Sequence, residues 1–156
     1  MLDHKAGMQN DMRKISVREA AAADLAAIST IDSANTGLAK AEYWQAMFDG
    51  AAANDRSFLV AVSAGAVIGF VVGEVRAWEF GSPTAGWVFA IQVADGRREC
   101  GVGRTLLAAL CDRFAGAGVA VVRTMVSRRD MVNLSFFRGE GLTAGPYVEL
   151  EKRLDA

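Results

Sequence analysis

The chain has 156 residues, of which 52% are apolar and 22% charged, with a formal net charge of −1. That length suits one domain with a sizeable core, and so balanced a charge supplies no basic field for tracking nucleic acid. No run of about eighteen apolar residues marks a membrane span and the N-terminus lacks a charged-then-apolar signal pattern, so the expected compartment is the cytoplasm.

Residues 1–12 are polar and aperiodic, with two further methionines, Met8 and Met12; they read as a disordered leader before a folded domain over residues 13–156. Residues 15–17 open a first strand. Asp24 then heads an alanine-rich helix whose Leu25, Ile28 and Ile31 have helical spacing. Gly37 separates it from a second helix over residues 39–48, which carries Tyr43, Trp44, Met47 and Phe48. Residues 57–62 and 66–77 pattern as two strands around the turn at residues 63–66, a hairpin. After a loop at residues 78–85, an apolar strand over 87–93 empties into a charged loop over 94–100, and a periodic helix follows from Gly101. Val102, Leu106, Leu107, Leu110, Cys111 and Phe114 form its apolar face, and Gly116 and Gly118 stop it. Residues 119–126 read as a strand buried on both faces, residues 130–138 as a short helix, and residues 142–150 as a last strand. An early meander followed by alternating strands and helices makes a mixed α/β sheet.

The loop between the central strand and its helix carries the chemistry. Gly101 and Gly103 have no Cβ, so a ligand can approach their N–H groups closely, and the first amides of a helix have no intrahelical partner. Arg97, Arg98 and Arg104 add positive charge at the same mouth, and Arg128 and Arg129 extend the cluster in sequence. An anionic, phosphorylated ligand is the expectation. Cysteine catalysis is disfavoured: Cys111 lies on an apolar helix face, and Cys100 has no histidine near it in sequence, the single one being His4 in the leader.

The segment from Val93 to Gly103, with Arg98, Gly101 and Gly103 in the pattern Arg-x-x-Gly-x-Gly directly after a strand, resembles the acyl-CoA pyrophosphate loop of the Gcn5-related N-acetyltransferase (GNAT) superfamily. The element order over about residues 14–152 is also similar to that family's. The resemblance implies a single-domain GNAT-like acyl-CoA N-acyltransferase fold, with a mixed, mostly antiparallel central sheet flanked by helices. It implies acetyl-CoA, or another acyl-CoA, as co-substrate, a small-molecule or peptide amine as acceptor, and no metal. Homodimerisation is compatible with the sequence, though no residue demands it.

Residue by residue, the resemblance sets Arg98, Glu99, Cys100, Gly101, Val102, Gly103, Arg104 and Thr105 around the pyrophosphate, mostly through main-chain amides. The main chain of Ile91, Gln92 and Val93 would hold the pantetheine arm like an added strand, with a backbone amide near Val93 donating to the thioester oxygen. Asp130 and Phe137 align with the family's later Asn and Tyr positions, Phe137 replaces a tyrosine that often protonates the leaving thiolate, and Asn133, one turn after Asp130, is the candidate to replace the missing polar contact. Tyr147 is the nearest phenol substitute, with a surface or core role as its alternative. For the base, the residues leave Glu74, on the face of Ile68, Phe70 and Val72, and Glu79; pairing with Arg76 or solvent is the alternative for Glu74. Tyr43, Trp44 and Trp78 are candidate walls of an acceptor pocket, with core packing the competing role for the helix aromatics. Two other readings stay open: a module that binds acyl-CoA without turnover, and a nucleotide-binding protein of another class.

Overall fold

The near-continuous apolar, Val- and Phe-rich runs of residues 57–62 and 66–77 become β2 (Arg56–Ser63) and β3 (Ala66–Arg76), buried on both faces, in a computed structural model that describes residues 14–154. The turn between them puts Ala64 at φ 48° and Gly65 at φ 77°, the left-handed pair that a tight hairpin requires. With β1 (Ser16–Glu19), β4 (Ala85–Val93) and β5 (Val122–Thr124) they form one sheet in the order β1-β2-β3-β4-β5. The first four strands pair antiparallel and β5 joins β4 in parallel, which is the mixed sheet expected. The described residues group into two compact units, one running to Met125 and one from Val126. The leader assigned to residues 1–12 lies outside the described residues.

The first unit has a helical layer on each side of the sheet. On one face, α1 (Leu25–Thr36) and α2 (Ala41–Asp49) cover Phe58, Val60, Phe70 and Val72, adding Ile28, Ile31 and Trp44 to a common core. On the other, α3 (Val102–Gly116) lies on a seam of glycines. A Cβ on Gly86 would stand 2.3 Å from Phe114 Cδ2, and one on Gly73 would meet the Trp87 carbonyl oxygen at 2.6 Å and the Phe114 ring at 2.8 Å. The missing side chains let the helix approach closely, which fixes where its N-terminus emerges beside the end of β4.

Asp24 holds the entry to α1. Arg18 donates to its two oxygens at 2.6 and 2.9 Å and the Ala21 amide donates at 2.7 Å. The Arg18 hydrogen bonds keep the Asp24 carboxyl below the usual carboxylate range, against the opposing effect of desolvation, and the Ala21 amide adds to them. A carboxyl with a depressed folded pKa contributes stability above its unfolded value, near 4, and loses it as pH falls through the folded value. The thermal midpoint should therefore drop as pH falls from about 4. Asp24→Asn should lower the midpoint at pH 7 and flatten that acid decline, as circular-dichroism melts between pH 7 and 3 will read.

Two expected strands differ. The run 119–126 yields only Val122–Thr124 as strand, because Val119 still serves the end of α3, its amide donating to the Phe114 carbonyl at 2.9 Å. Burial on both faces does not hold either, since Val121 is 46% and Met125 68% exposed. In the second unit, residues 142–150 form no strand. Gly145 and Pro146 interrupt the run, and proline removes a ladder donor. That unit's helix, α4 (Met131–Gly139), forms where the periodicity places it.

Candidate active site

Three features of the first unit converge on the C-terminal end of β4. The first is an open sheet edge. Gly86, Trp87 and Val88 pair with Val122, Arg123 and Thr124, and the Thr124 hydroxyl donates to the Val88 carbonyl at 3.0 Å. There the pairing stops, while β4 continues for five residues, 89–93, with no strand on that side among the described residues. Phe89 is an extra residue in the ladder with β3, since Val72 pairs with Ala90 and Gly73 with Val88. The main chain of Ile91, Gln92 and Val93 therefore runs along a flank that no strand covers, with the Val93 carbonyl reached by the Asn35 side chain at 3.2 Å, the kind of edge an extended ligand can join as a strand.

The second feature is the turn that follows. Gly96 at φ 76° and the Arg97 amide, donating to the Ala94 carbonyl at 3.1 Å, bend the chain out of β4. One tight helical turn (Arg98–Cys100) leads to Gly101, at φ 76° and ψ 12°, before α3 begins. Gly103 is half-exposed, and its amide donates to no acceptor among the described residues. The full fan of donors from Cys100 to Arg104 is narrower than the sequence suggests. Cys100 uses its amide within the turn, on the Arg97 carbonyl at 3.2 Å, and Val102 is fully buried. The Thr105 hydroxyl donates to the Gly101 carbonyl at 2.9 Å, so it braces the turn. Arg98, Glu99 and Arg104 are exposed at this mouth.

The third feature is a polar chain inside α1 and β4 that sequence reasoning missed. Asp32, on the apolar face of α1, is wholly buried and accepts from the Trp44 indole at 2.9 Å and from the Gln92 amide at 2.7 Å, with the Lys40 ammonium at 3.1 Å. Burial pushes its pKa up, but the bonds from Trp44, Gln92 and Lys40 outweigh that and hold it below the usual range. Gln92 in turn accepts from the Asn35 amide at 3.2 Å, which also donates to the Val93 carbonyl at 3.2 Å, and Asn35 accepts from Arg98 at 2.6 Å. The signal was present: Ile28, Ile31, Asp32 and Asn35 share one helical face, and an acid there needs a buried partner.

Glu74 does face the core with Phe70 and Val72, but as a member of an ion-pair triad. Arg56, its cross-strand neighbour, binds Oε1 through both Nε, at 2.6 Å, and Nη2, and Arg76 donates to Oε2 at 2.8 Å. With both oxygens engaged by guanidinium groups at 2% exposure, this carboxylate holds β2 and β3 together, which is the ion-paired role that competes with that of a base. Glu79 receives Arg76 Nε at 2.8 Å. Trp44 is corrected likewise: at 2% exposure, packed edge-on to Phe70 with ring centroids 5.0 Å apart, it is core and lines no open pocket. Tyr43 is 48% exposed, and Trp78 and Phe80 are about three-quarters exposed. These two sit at φ 70° and 58°, a left-handed backbone that non-glycine residues adopt at a cost and that recurs at ligand-binding loops.

In the second unit, Asp130 caps α4: its carboxylate accepts from the Asn133 amide at 3.0 Å and from the Asn133 side chain at 2.7 Å. Phe137 is buried and stacks edge-on with Phe136, and Tyr147 is 46% exposed. Both cysteines are free thiols, and burial, then the Asp112 charge, pushes that of Cys111 up, away from thiolate chemistry. Among the described residues no group of three or more His, Cys, Asp or Glu could hold a metal, and no helix is long and apolar enough to cross a membrane.

A split sheet beside an arginine-flanked glycine turn is the arrangement that the resemblance implies, and residues 22–139 match the family model described as acetyltransferase (GNAT) family. The chain belongs to the GNAT family. By that membership it is an N-acetyltransferase. Similar folds include the aminoglycoside N-acetyltransferase AAC(6')-Iy in complex with the bisubstrate analogue CoA-S-monomethyl-acetylneamine, at 15% identity and TM-score 0.77, covering 91% of this chain and 99% of that one. Glucosamine-6-phosphate N-acetyltransferase from Arabidopsis thaliana is 16% identical with TM-score 0.71, covering 91% and 99%. A transcriptional regulator from Bacillus halodurans C-125 is 13% identical with TM-score 0.77, covering 90% and 100%. No curated protein shows significant sequence similarity to the chain. Likeness at such identities speaks for the GNAT fold alone, and the chemistry of this member lies in its own residues.

Proposed function

We propose that this GNAT protein transfers the acetyl group of acetyl-CoA to an amine of a small molecule or a peptide. The observation that carries the proposal is the unpaired flank of β4 over residues 89–93, running directly into a turn with an exposed arginine and a half-exposed glycine amide. The family's co-substrate has the matching parts, an extended amide-bearing arm joined to a diphosphate. The main chain of Ile91, Gln92 and Val93 would take the arm by strand-like hydrogen bonding. Arg98 and the Gly103 amide would take the diphosphate, helped by the dipole of α3 and by Arg104.

On attack, negative charge grows on the thioester oxygen, and a preset amide near Val93 stabilises it. The acceptor nitrogen must reach the carbonyl uncharged, so its proton leaves before or during attack; with Glu74 locked in its triad, water is the proposed carrier. Acceptor recognition is assigned to Tyr43, Trp78 and Phe80, whose exposed rings offer apolar surface, with Glu42 nearby in sequence for a cationic group. Collapse of the adduct breaks the carbon–sulfur bond and expels the CoA thiolate, which takes its proton from water; Asp130, Asn133 and Phe137 keep the co-substrate roles that the resemblance implies, and Tyr147 stays the phenol substitute that the sequence offers.

Acetyl-CoA should raise the thermal midpoint where NAD and ATP do not, and a panel of amines should release free thiol with at least one member. Stabilisation without thiol release from any amine would instead favour a module that binds acyl-CoA without turnover. Arg98→Ala removes a charge-assisted contact worth about 1.5–3 kcal/mol, so the Kd for CoA in titration calorimetry should rise by about tenfold or more. An unchanged Kd would remove Arg98 from the site.

A further inference from the structure

We propose that Asp32 is a positioning residue that presets Arg98 for the co-substrate diphosphate, acting through the amide orientations of Gln92 and Asn35; the inference rests on the acyl-CoA reading above. Trp44 Nε1 and Lys40 Nζ can only donate, and both meet Asp32 Oδ2, so an oxygen must stand there. Asp32 Oδ1 is also an acceptor, which obliges Gln92 to turn its NH2 inward at 2.7 Å and its carbonyl oxygen toward α1. That oxygen, with the Val93 carbonyl, obliges Asn35 to aim its NH2 at β4. Asn35 Oδ1 is then left facing outward, where it receives Arg98 Nη2 at 2.6 Å. One buried carboxylate thus dictates the direction of three successive bonds, and the last of them ends on the motif arginine.

The tether matters because Arg98 is long, its side chain is 55% exposed, and the same Nη2 that meets Asn35 lies within 3.6 Å of the Asp95 carboxylate. An untethered guanidinium has several rotatable bonds to freeze on binding, and Asp95 competes with the diphosphate for it. A neutral oxygen at 2.6 Å orients the group without cancelling its charge, leaving its remaining N–H donors for a ligand.

The chain of orientations makes a specific demand on substitutions. In Asp32→Asn the single oxygen stays with Trp44 and Lys40, so the new NH2 confronts the Gln92 NH2. Gln92 then flips, two donors meet at Asn35, and the oxygen that held Arg98 is lost or misplaced. Adding Gln92→Glu repairs the sequence of donors and acceptors, because a carboxylate at position 92 accepts from the new amide at position 32 and from Asn35 alike, and it restores the formal charge.

Titration calorimetry with CoA, with a thermal melt of each variant, tests this. Asp32→Asn should raise the Kd about tenfold, Asp32→Asn with Gln92→Glu should return it to within about threefold of the parent, and Asn35→Ala, at the half-exposed end of the chain, should raise it about fivefold. Turnover should show the same losses in KM for acetyl-CoA with kcat little changed. Parent-like CoA binding by Asn35→Ala, or failure of Gln92→Glu to improve on Asp32→Asn, overturns the inference while leaving the acyl-CoA reading intact. A parent protein that binds no CoA overturns that reading and this inference with it.

Discussion

Gly86→Val should cost the protein about 3 kcal/mol and lower its thermal midpoint by roughly 10 °C. The first added carbon would lie 2.3, 2.6 and 2.6 Å from three atoms of the Phe114 ring, closer than any carbon contact allows. Phe114 is 1% exposed and cannot swing into solvent, while β4 is pinned on both sides at this point, to Val75 and to Val122. Relief must come from lifting α3 off the sheet, which also uncovers Leu106 and Leu110. Since folded domains are stable by only about 5–15 kcal/mol, the loss is a large fraction of the whole. Gly116→Ala is the matched control. Beyond its chain neighbours and the backbone of its own helix, no atom lies within 4 Å of its added carbon, so it should melt at the parent temperature or slightly above. A Gly86→Val midpoint within about 2 °C of the parent would show that the seam is not close-packed.

Glu74→Gln is expected to separate stability from catalysis. The carboxylate balances Arg56, whose side chain is 11% exposed, and Arg76, and a neutral amide leaves a buried guanidinium uncompensated. Breaking such a pair costs about 3 kcal/mol, which urea unfolding will read as a shifted midpoint at constant slope. Below the melting range, kcat for acetyl transfer should stay within about threefold, because Gln keeps the shape and water, not this side chain, is the proposed proton carrier. A kcat lowered by about a hundredfold or more, the scale of losing a general base, would return Glu74 to the chemistry.

The parts of the molecule that the sequence disclosed are those where one local period decides. The hairpin of β2 and β3, the run of β4, and α3 with its apolar stripe from Val102 to Phe114 each carry their pattern within a dozen or so residues, and the glycine turn announces itself by residue type. What stayed hidden depends on register. Arg56 and Glu74 are eighteen positions apart and meet only because the hairpin sets them opposite each other. Asp32 finds Gln92 sixty positions away, across the packing of α1 on β4. The apolar content of residues 119–126 suggested more strand than forms, because a helix end claims its first residue, and Gly145 with Pro146 defeats the alternation after Leu142. Trp44 illustrates the same limit, since an aromatic at helical spacing looks alike whether it packs inward or waits for a ligand.

The bare flank of β4 has a second face to it. A strand edge that no neighbouring strand covers will accept any partner of matching geometry, including the same segment from another copy of the chain, so the receptor is also a hazard for self-association. An occupant bound along residues 89–93 would shield that stretch between encounters, and the ligand that serves the chemistry would then act as a chaperone for the sheet that holds it.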